Sequence, residues 1–247
     1  MTKEAIQYLI EQGIQPEDRL VNFDGGERWL SYDNDGQAKE ILPKVFNAKD
    51  SINLNTLSGM VNYIKSNIER IDNKLILHVK DERTISLKGV LEIDGSRELL
   101  ATAKAIVPEF DFDRYYDVES FNIALQSKFV PNEDRETLLQ VVGNVSEDNI
   151  KTIGDDGVSQ AVTINQGVAS KSTVKVPNPV ELAPYRTFLE VEQPTSQFVF
   201  RMKDGPSAAI FEADGGAWRN QAIINIREYF KKELREQMSN KRITILA

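Results

Sequence analysis

Four carboxylates in two glycine-containing stretches are the side chains of this sequence best suited to metal chemistry. Glu212 and Asp214 lie two residues apart at the end of a predicted strand, so they point to the same face if the strand continues. Asp155 and Asp156 lie together in a turn flanked by glycines. Carboxylate oxygens bind Mg²⁺ and Mn²⁺, as in phosphoryl-transfer enzymes. One hypothesis is therefore a metal-dependent phosphoryl-transfer enzyme in which these four side chains converge within about 6 Å.

The stretch 210–221, IFEADGGAWRNQ, also has a simpler interpretation as a corner between a strand and a helix. Asp214 would cap the helix, and Gly215 and Gly216 would permit a sharp change of direction. Glu212 would then face solvent. We favour this interpretation, because acid-rich turns are common and no lysine follows Glu212 in a nuclease-like acid-x-Lys pattern.

Basic residues interleaved with aromatic ones form a second candidate site, for single-stranded nucleic acid or for a protein partner. The candidate binding residues are Arg186, Arg201, Lys203, Trp218 and Arg219. Proteins hold single strands by combining charge with ring stacking. In the more common arrangement, the aromatic side chains point inward and the arginines form the outer face of a sheet. The net charge of −8 also opposes the unaided binding of a polyanion.

The composition removes several classes of enzyme. The 247-residue chain has no cysteine, which excludes disulfides, thiolate nucleophiles, zinc fingers and iron–sulfur clusters. A Ser-His-Asp triad would have to use the single histidine, His78, which is more simply a hydrogen-bonded residue of a predicted strand. No G-x-x-x-x-G-K-[ST] or G-x-G-x-x-G nucleotide motif occurs. We expect no cofactor and assign no catalytic residue. The metal hypothesis keeps the enzyme question open, and we lean towards a protein that is not an enzyme.

The hydrophobic pattern predicts an α+β fold, mainly antiparallel sheet in meanders and hairpins, with packed helices and a long helix near the C-terminus. Alternating patterns predict strands at 75–79, 84–93, 98–107, 187–192, 197–202 and 207–212. The prolines between 177 and 184 exclude a central strand there, because proline lacks the ladder donor.

Helical periodicity appears in two main places. After Asn55, a suitable N-cap, apolar residues recur at Leu57, Val61, Ile64, Ile68 and Ile71. The long helix covers about 216–238, with a buried stripe that includes Ala222, Ile226, Phe230 and Leu234.

The pattern divides the chain into residues 1–48, an N-terminal helix followed by a hairpin or loop, and an α+β core at 49–247. Within the core, two stretches at about 74–107 and 187–215 share the order strand, Lys-Asp turn, strand, acid-x-Asp-Gly. They could be two related β-meander units, or they could share only common hairpin chemistry.

The C-terminal half resembles a phage- and prophage-encoded family of unknown function, the YfdQ-like proteins. The resemblance covers about 140–237 and is looser over 50–140. It rests on DDGVSQ at 155–160, VPNPVELAPYRTFLEVEQP at 176–194, FVFR at 198–201 and FEADGGAW at 211–218. It implies a bacteriophage or prophage gene product, often encoded near genes of DNA recombination and replication. It implies no catalytic residues.

The leading functional hypothesis is a non-enzymatic phage protein that binds a macromolecular partner in the host cell, for example as an inhibitor of a host factor or a defence system. The first alternative is an accessory factor of DNA recombination or replication that binds single-stranded nucleic acid. The metal-dependent enzyme is the second alternative. The chain shows no apolar signal core and no long uncharged apolar window, so we expect the host cell cytoplasm and no membrane. The partner could be a host or phage protein, and self-association into a homo-oligomer stays open.

Overall fold

The computed structural model describes residues 20–22, 29–32, 37–41, 47–92, 95–143, 154–155, 160–166, 170–203, 205 and 207–247. The helix predicted within the first 48 residues lies outside them. The described part combines sheets with packed helices and has a C-terminal helix, which confirms the α+β class. Of the helices described, none combines the length with the apolar composition that a membrane crossing requires.

The strands are β1 (Leu20–Asn22), β2 (Trp29–Tyr32), β3 (Ala38–Ile41), β4 (Ile52–Leu54), β5 (Leu75–Val79), β6 (Thr84–Gly89), β7 (Leu99–Lys104), β8 (Tyr116–Asp117), β9 (Gly154–Asp155), β10 (Gln160–Gln166), β11 (Ser170–Lys175), β12 (Val180–Leu182), β13 (Ser196–Lys203), β14 (Ser207–Glu212) and β15 (Ile243–Leu246). The helices are α1 (Leu57–Ser66), α2 (Val118–Lys128), α3 (Glu133–Gly143), α4 (Ala217–Glu233) and α5 (Arg235–Ser239). Strands β1, β2 and β3 form one small antiparallel sheet, and β9, β10 and β11 form another.

A mixed five-stranded sheet has the order β15-β5-β6-β7-β4. Its middle is the predicted antiparallel meander, in which Leu75, Leu77 and Val79 are buried and alternate with half-buried neighbours. The edges differ from the antiparallel expectation, because β15 runs parallel to β5 and β4 runs parallel to β7. Helices α1 and α4 bury their apolar sides against this sheet, and together they form the first unit.

Helix α1 starts one residue later than the predicted cap at Asn55 implies, and it ends earlier than the apolar repeat suggests. Its N-cap is Thr56, whose hydroxyl accepts the N–H of Gly59, so the predicted cap at Asn55 is wrong by one residue. Asn67 adopts a left-handed conformation and ends the helix. Ile68 therefore lies outside the helix with 75% of its surface exposed.

The antiparallel sheet β12-β13-β14-β8 forms the second unit with α2 and α3. Its core is rich in aromatic side chains, including Phe121, Phe129, Phe198 and Phe200. Asp117 caps α2 by accepting the N–H of Ser120 at 2.8 Å. Among the described residues, strand β12 pairs only with β13 and so lies at the sheet edge, in keeping with its proline-rich surroundings.

In the sequence, the second unit lies between two parts of the first. Residues of α4 and β15 complete the core around β5, β6 and β7, whereas the intervening part builds the other core.

The long helix ends at Glu233 instead of continuing to 238, and α5 follows after Leu234. The strand predicted at 187–192 is wrong, because this stretch is irregular and turn-like.

Candidate functional site

The stretch 210–221 forms the predicted corner between a strand and a helix. Gly215 and Gly216 have φ angles of 62° and 82°, in the left-handed region that favours glycine. Asp214 fixes the corner, because its carboxylate accepts the N–H of Gly216 at 2.9 Å and the N–H of Trp218 at 3.3 Å. Glu212 thus ends β14, and Trp218 lies in the first turn of α4.

Arg186 lies at the centre of this corner. Only 3% of the residue is exposed, and its Nη1 donates to Glu212 Oε1 at 2.8 Å. Its Nη2 donates to the hydroxyl of Ser196. The guanidinium carbon lies 3.9 Å from a ring centroid of Trp218, which is a close cation–π stack. Glu212 stays exposed to solvent, as expected, but its carboxylate also pairs with this buried cation, which was not expected.

Burial and charge act in opposite directions on this cluster. Desolvation lowers the pKa of Arg186 to about 10, and the carboxylates of Glu212 and Asp214 oppose that shift. At neutral pH the guanidinium therefore stays charged. Burial alone would raise the pKa of Asp214, but the N–H donors of Gly216 and Trp218, the Ser196 hydroxyl and the Arg186 charge leave it below its usual value.

The segment 184–193, which we call the clasp segment, is held by side chains instead of by a strand ladder. Gln193 Oε1 accepts the N–H groups of Arg186 and Thr187, and its Nε2 donates to the carbonyls of Phe188 and Val191. The buried amide therefore satisfies four main-chain groups, which leaves the clasp segment fixed without regular secondary structure.

The clasp segment also bonds to the first unit. Thr187 Oγ1 donates to the carbonyl of Glu82, and Arg83 Nε donates to the carbonyl of Arg186 at 3.1 Å. Phe188 belongs to the core of the first unit, whereas Arg186 lies 5.7 Å from the ring of Phe198 in the core of the second. The clasp segment thus joins the two cores.

Glu190 caps a helix that is distant in the sequence. Its two carboxylate oxygens accept the N–H groups of Leu57 and Ser58, at 2.9 Å and 2.8 Å. These N–H groups belong to the first turn of α1, where a negative charge is favoured by the helix dipole. Glu190 therefore supplements the local cap at Thr56.

The outer side of the clasp segment presents apolar surface. Leu189 and Ile106 are 67% and 70% exposed. They line a cleft of about 240 Å³ together with Phe188, which is buried, and Glu190. An apolar cleft between two exposed aliphatic side chains has the character of a protein-binding surface.

A second cleft, of about 200 Å³, lies at the other end of the clasp segment. Arg83, Lys128 and Tyr185 line it, with Phe110 among the aromatic residues of its wall. Lys128 Nζ donates to the main-chain carbonyl of Glu109 and lies 6.0 Å from the ring centroid of Phe110. This cleft is polar, basic and aromatic, in contrast to the first.

The predicted binding residues divide between interior and surface. Arg186 and Trp218 are 3% and 4% exposed and lie within the fold, where a phosphate or base would not reach them. Arg201 is half-buried, and its Nη1 donates to the carbonyl of Phe200. Lys203 is exposed, and the Arg219 side chain is 52% exposed with its Nε 3.7 Å from Glu82 Oε1. The five residues do not form one surface.

The four candidate metal ligands are not seen together. Glu212 pairs with Arg186, and Asp214 accepts main-chain N–H groups. Asp155 lies in β9, and Asp156 lies outside the described residues. Among the residues that the structure describes, no group of three or more histidine or carboxylate side chains is arranged to hold a metal ion.

Sequence reasoning missed the roles of Glu190, Gln193 and Ser196. All three are polar residues near Arg186 in the chain: Gln193 and Ser196 bond to Arg186, and Glu190 bonds to the first turn of α1. The available signal was the quoted motif YRTFLEVEQP at 185–194, in which polar residues interrupt an apolar pattern.

No family model, curated protein or solved structure matches this chain. The resemblance to YfdQ-like proteins therefore stays a prediction from the quoted motifs.

Proposed function

We propose that this protein is a non-enzymatic bacteriophage or prophage protein that acts by binding a macromolecular partner, a host or phage protein, in the host cell cytoplasm. Inhibition of a host factor or of a defence protein is one form of this function. The motifs over about 140–237 that resemble the YfdQ-like family support the phage setting.

The single observation that carries the proposal is the exposed pair Ile106 and Leu189 above a buried Phe188. Large aliphatic side chains in a cleft are typical anchors of protein interfaces. The clasp segment that carries Leu189 is fixed by Gln193 and Glu190, so the anchor needs little ordering when a partner binds.

The residues that carry the family resemblance support a role other than catalysis. Arg186, Glu212, Asp214 and Trp218 bond or stack with one another and with the main chain. These bonds and the stack hold the corner and the clasp segment in place. The motifs to which these residues belong are therefore explained by the stability of the fold.

Co-purification from phage-infected cells tests the proposal. The tagged protein should recover a host or phage partner in stoichiometric amount. The double variant Ile106→Asp with Leu189→Asp should lose it, because two charges would enter the apolar cleft. Matching unfolding curves for the variant and the natural protein would show that the fold is retained.

The matched control is the double variant Ile68→Asp with Leu91→Asp. Ile68 and Leu91 are also exposed, at 75% and 59%, and do not line the cleft. This control should retain the partner. Recovery of only free protein under several infection conditions would overturn the proposed function.

An accessory factor of DNA recombination or replication that binds single-stranded nucleic acid is a second candidate. Lys203 Nζ lies 4.0 Å from the ring centroid of Tyr115, which meets Phe211 edge-on at 6.1 Å, so charge and aromatic surface occur together. Arg201→Ala or Arg219→Ala should weaken the binding of a labelled oligonucleotide in a salt-sensitive way. Absence of binding at low salt would end this candidate.

A further inference from the structure

We infer that the partner enters as an extended peptide segment that carries a large apolar side chain and, about four residues away, a carboxylate. The inference rests on the proposed function and names the chemistry of its partner. The apolar side chain occupies the cleft beside Ile106 and Leu189, and the carboxylate reaches Arg83 and Lys128 in the second cleft.

The two clefts follow one another along the same pair of chain segments. Residues 105–106 and 188–190 line the apolar cleft, and residues 107–112 and 184–186 line the basic one. From the apolar cleft to the basic one, the residue numbers rise along the first segment and fall along the second, so the two segments run in opposite directions. A ligand that lies between them meets first the apolar cleft and then the basic one.

The spacing sets the length of the ligand. Ile106 and Phe110 are four residues apart, as are Leu189 and Tyr185, and they line opposite ends of the pair of clefts. An extended chain rises about 3.3 Å per residue, so four residues span about 13 Å. We therefore assign the ligand two recognised side chains four positions apart, which share one face of an extended peptide.

Charge complementarity identifies the polar group of the ligand. Arg83 and Lys128 both line the basic cleft. Within the described part of the chain, neither forms an ion pair that would cancel its charge. Two carboxylates also line it, Glu109 and Asp111, and Asp111 pairs with Arg114 at 3.2 Å. Cations therefore remain in excess there, which favours an acidic side chain over a basic one.

The walls are rigid where the ligand would lie. Arg83 Nε holds the carbonyl of Arg186, Tyr185 N–H donates to the carbonyl of Lys128, and Gln193 holds the main chain at Phe188. A groove that is already formed binds without the cost of ordering a loop.

The experiment uses the blocked peptide Leu-Thr-Val-Thr-Glu and follows amide NMR shifts of the ¹⁵N-labelled full chain. We expect shifts at Ile106, Leu189 and Lys128. Lysine in place of the glutamate should weaken binding about threefold or more, because an attraction becomes a repulsion. Serine in place of the leucine should weaken it about tenfold or more.

The charge-reversed variant Lys128→Glu is the decisive control. The Lys128 side chain is half-buried, so matching unfolding curves must first show that the fold is kept, and the variant should then prefer the lysine peptide over the glutamate peptide. Shifts elsewhere, no shifts at millimolar peptide, or equal binding of the two peptides would overturn the inference. A partner recovered from cells that depends on Leu189 while the peptides fail would leave the proposed function standing and remove only the extended-peptide mode.

Discussion

The guanidinium of Arg186 stacks 3.9 Å from a ring centroid of Trp218 while it donates to Glu212 at 2.8 Å. The stack joins the clasp segment to the first turn of α4, and the ion pair joins it to the end of β14. A buried cation of this kind is stable only while its partners remain, because an uncompensated buried charge is costly.

We expect Arg186→Ala to lower the free energy of unfolding by about 2–5 kcal/mol, because the change empties a buried position and leaves Trp218 without its stacking partner. Arg186→Lys should recover little of this, since lysine lacks the planar fork. Urea unfolding measures both. Arg114→Ala, at an exposed ion pair with Asp111, is the control and should change stability by about 0.5 kcal/mol or less. A comparable loss at both arginines would contradict the assigned role of Arg186.

Glu190→Ala should cost about 0.5–2 kcal/mol, because the first turn of α1 loses two bonds to a carboxylate. The N–H groups of Leu57 and Ser58 should exchange with solvent faster, which hydrogen exchange detects residue by residue. Glu192→Ala is the matched control, because it removes another exposed carboxylate two residues further along the chain. Unchanged exchange at Leu57 and Ser58 in Glu190→Ala would show that water replaces the cap without loss.

Asp214 should make stability fall as the solution becomes acidic. Its pKa in the folded protein lies below the ordinary value of 3.8, so its contribution is present above that pH and is lost as the pH falls through the folded pKa. The destabilisation caused by Asp214→Asn should therefore be largest near neutral pH and shrink below about pH 4. Urea unfolding at a series of pH values tests this, with Asp111→Asn as an exposed control. A difference between Asp214→Asn and the natural protein that is constant from neutral to acidic pH would be the contrary result.

Gly216→Ala and Gly215→Ala should each cost about 1–2 kcal/mol, because both glycines have left-handed backbone. Gly216→Ala should cost more, since a Cβ there would lie 2.6 Å from Arg219 Nη1, whereas a Cβ at Gly215 would meet open space. In an Arg219→Ala background the two changes should become equal in urea unfolding. A neutral Gly216→Ala would mean that the corner relaxes to another conformation.

Local patterns predicted the elements whose partners are close in the sequence. Alternation identified the strands β5, β6 and β7, and the helical repeat identified α1 and the buried side of α4. The parallel pairing of β15 with β5 was not predictable in this way, because it depends on which distant segment the completed core brings alongside. The clasp segment was misassigned as a strand for a related reason, since Gln193 takes the hydrogen bonds that a ladder would use.

The sequence predicted individual residues of the candidate site but not the contacts between them. The glycine pair was correctly interpreted as a corner, and Asp214 does accept an N–H group of the first helical turn, although the N-cap residue itself is Gly216. Arg186 and Glu212 were assigned to different hypotheses, one for nucleic acid and one for a metal, although they contact each other. A single sequence contains no signal for such a contact, because the two side chains are 26 residues apart and come together only in the folded chain.

The order in which the elements close the first unit has a consequence for synthesis on the ribosome. Strands β5, β6 and β7 leave the exit tunnel early, yet α4 and β15, which cover them, are made only after the whole second unit. The nascent chain must therefore hold Leu75, Leu77 and Leu87 exposed while another core assembles behind them. Co-translational chaperone binding should concentrate on that interval, and release should coincide with the emergence of residues 217–246.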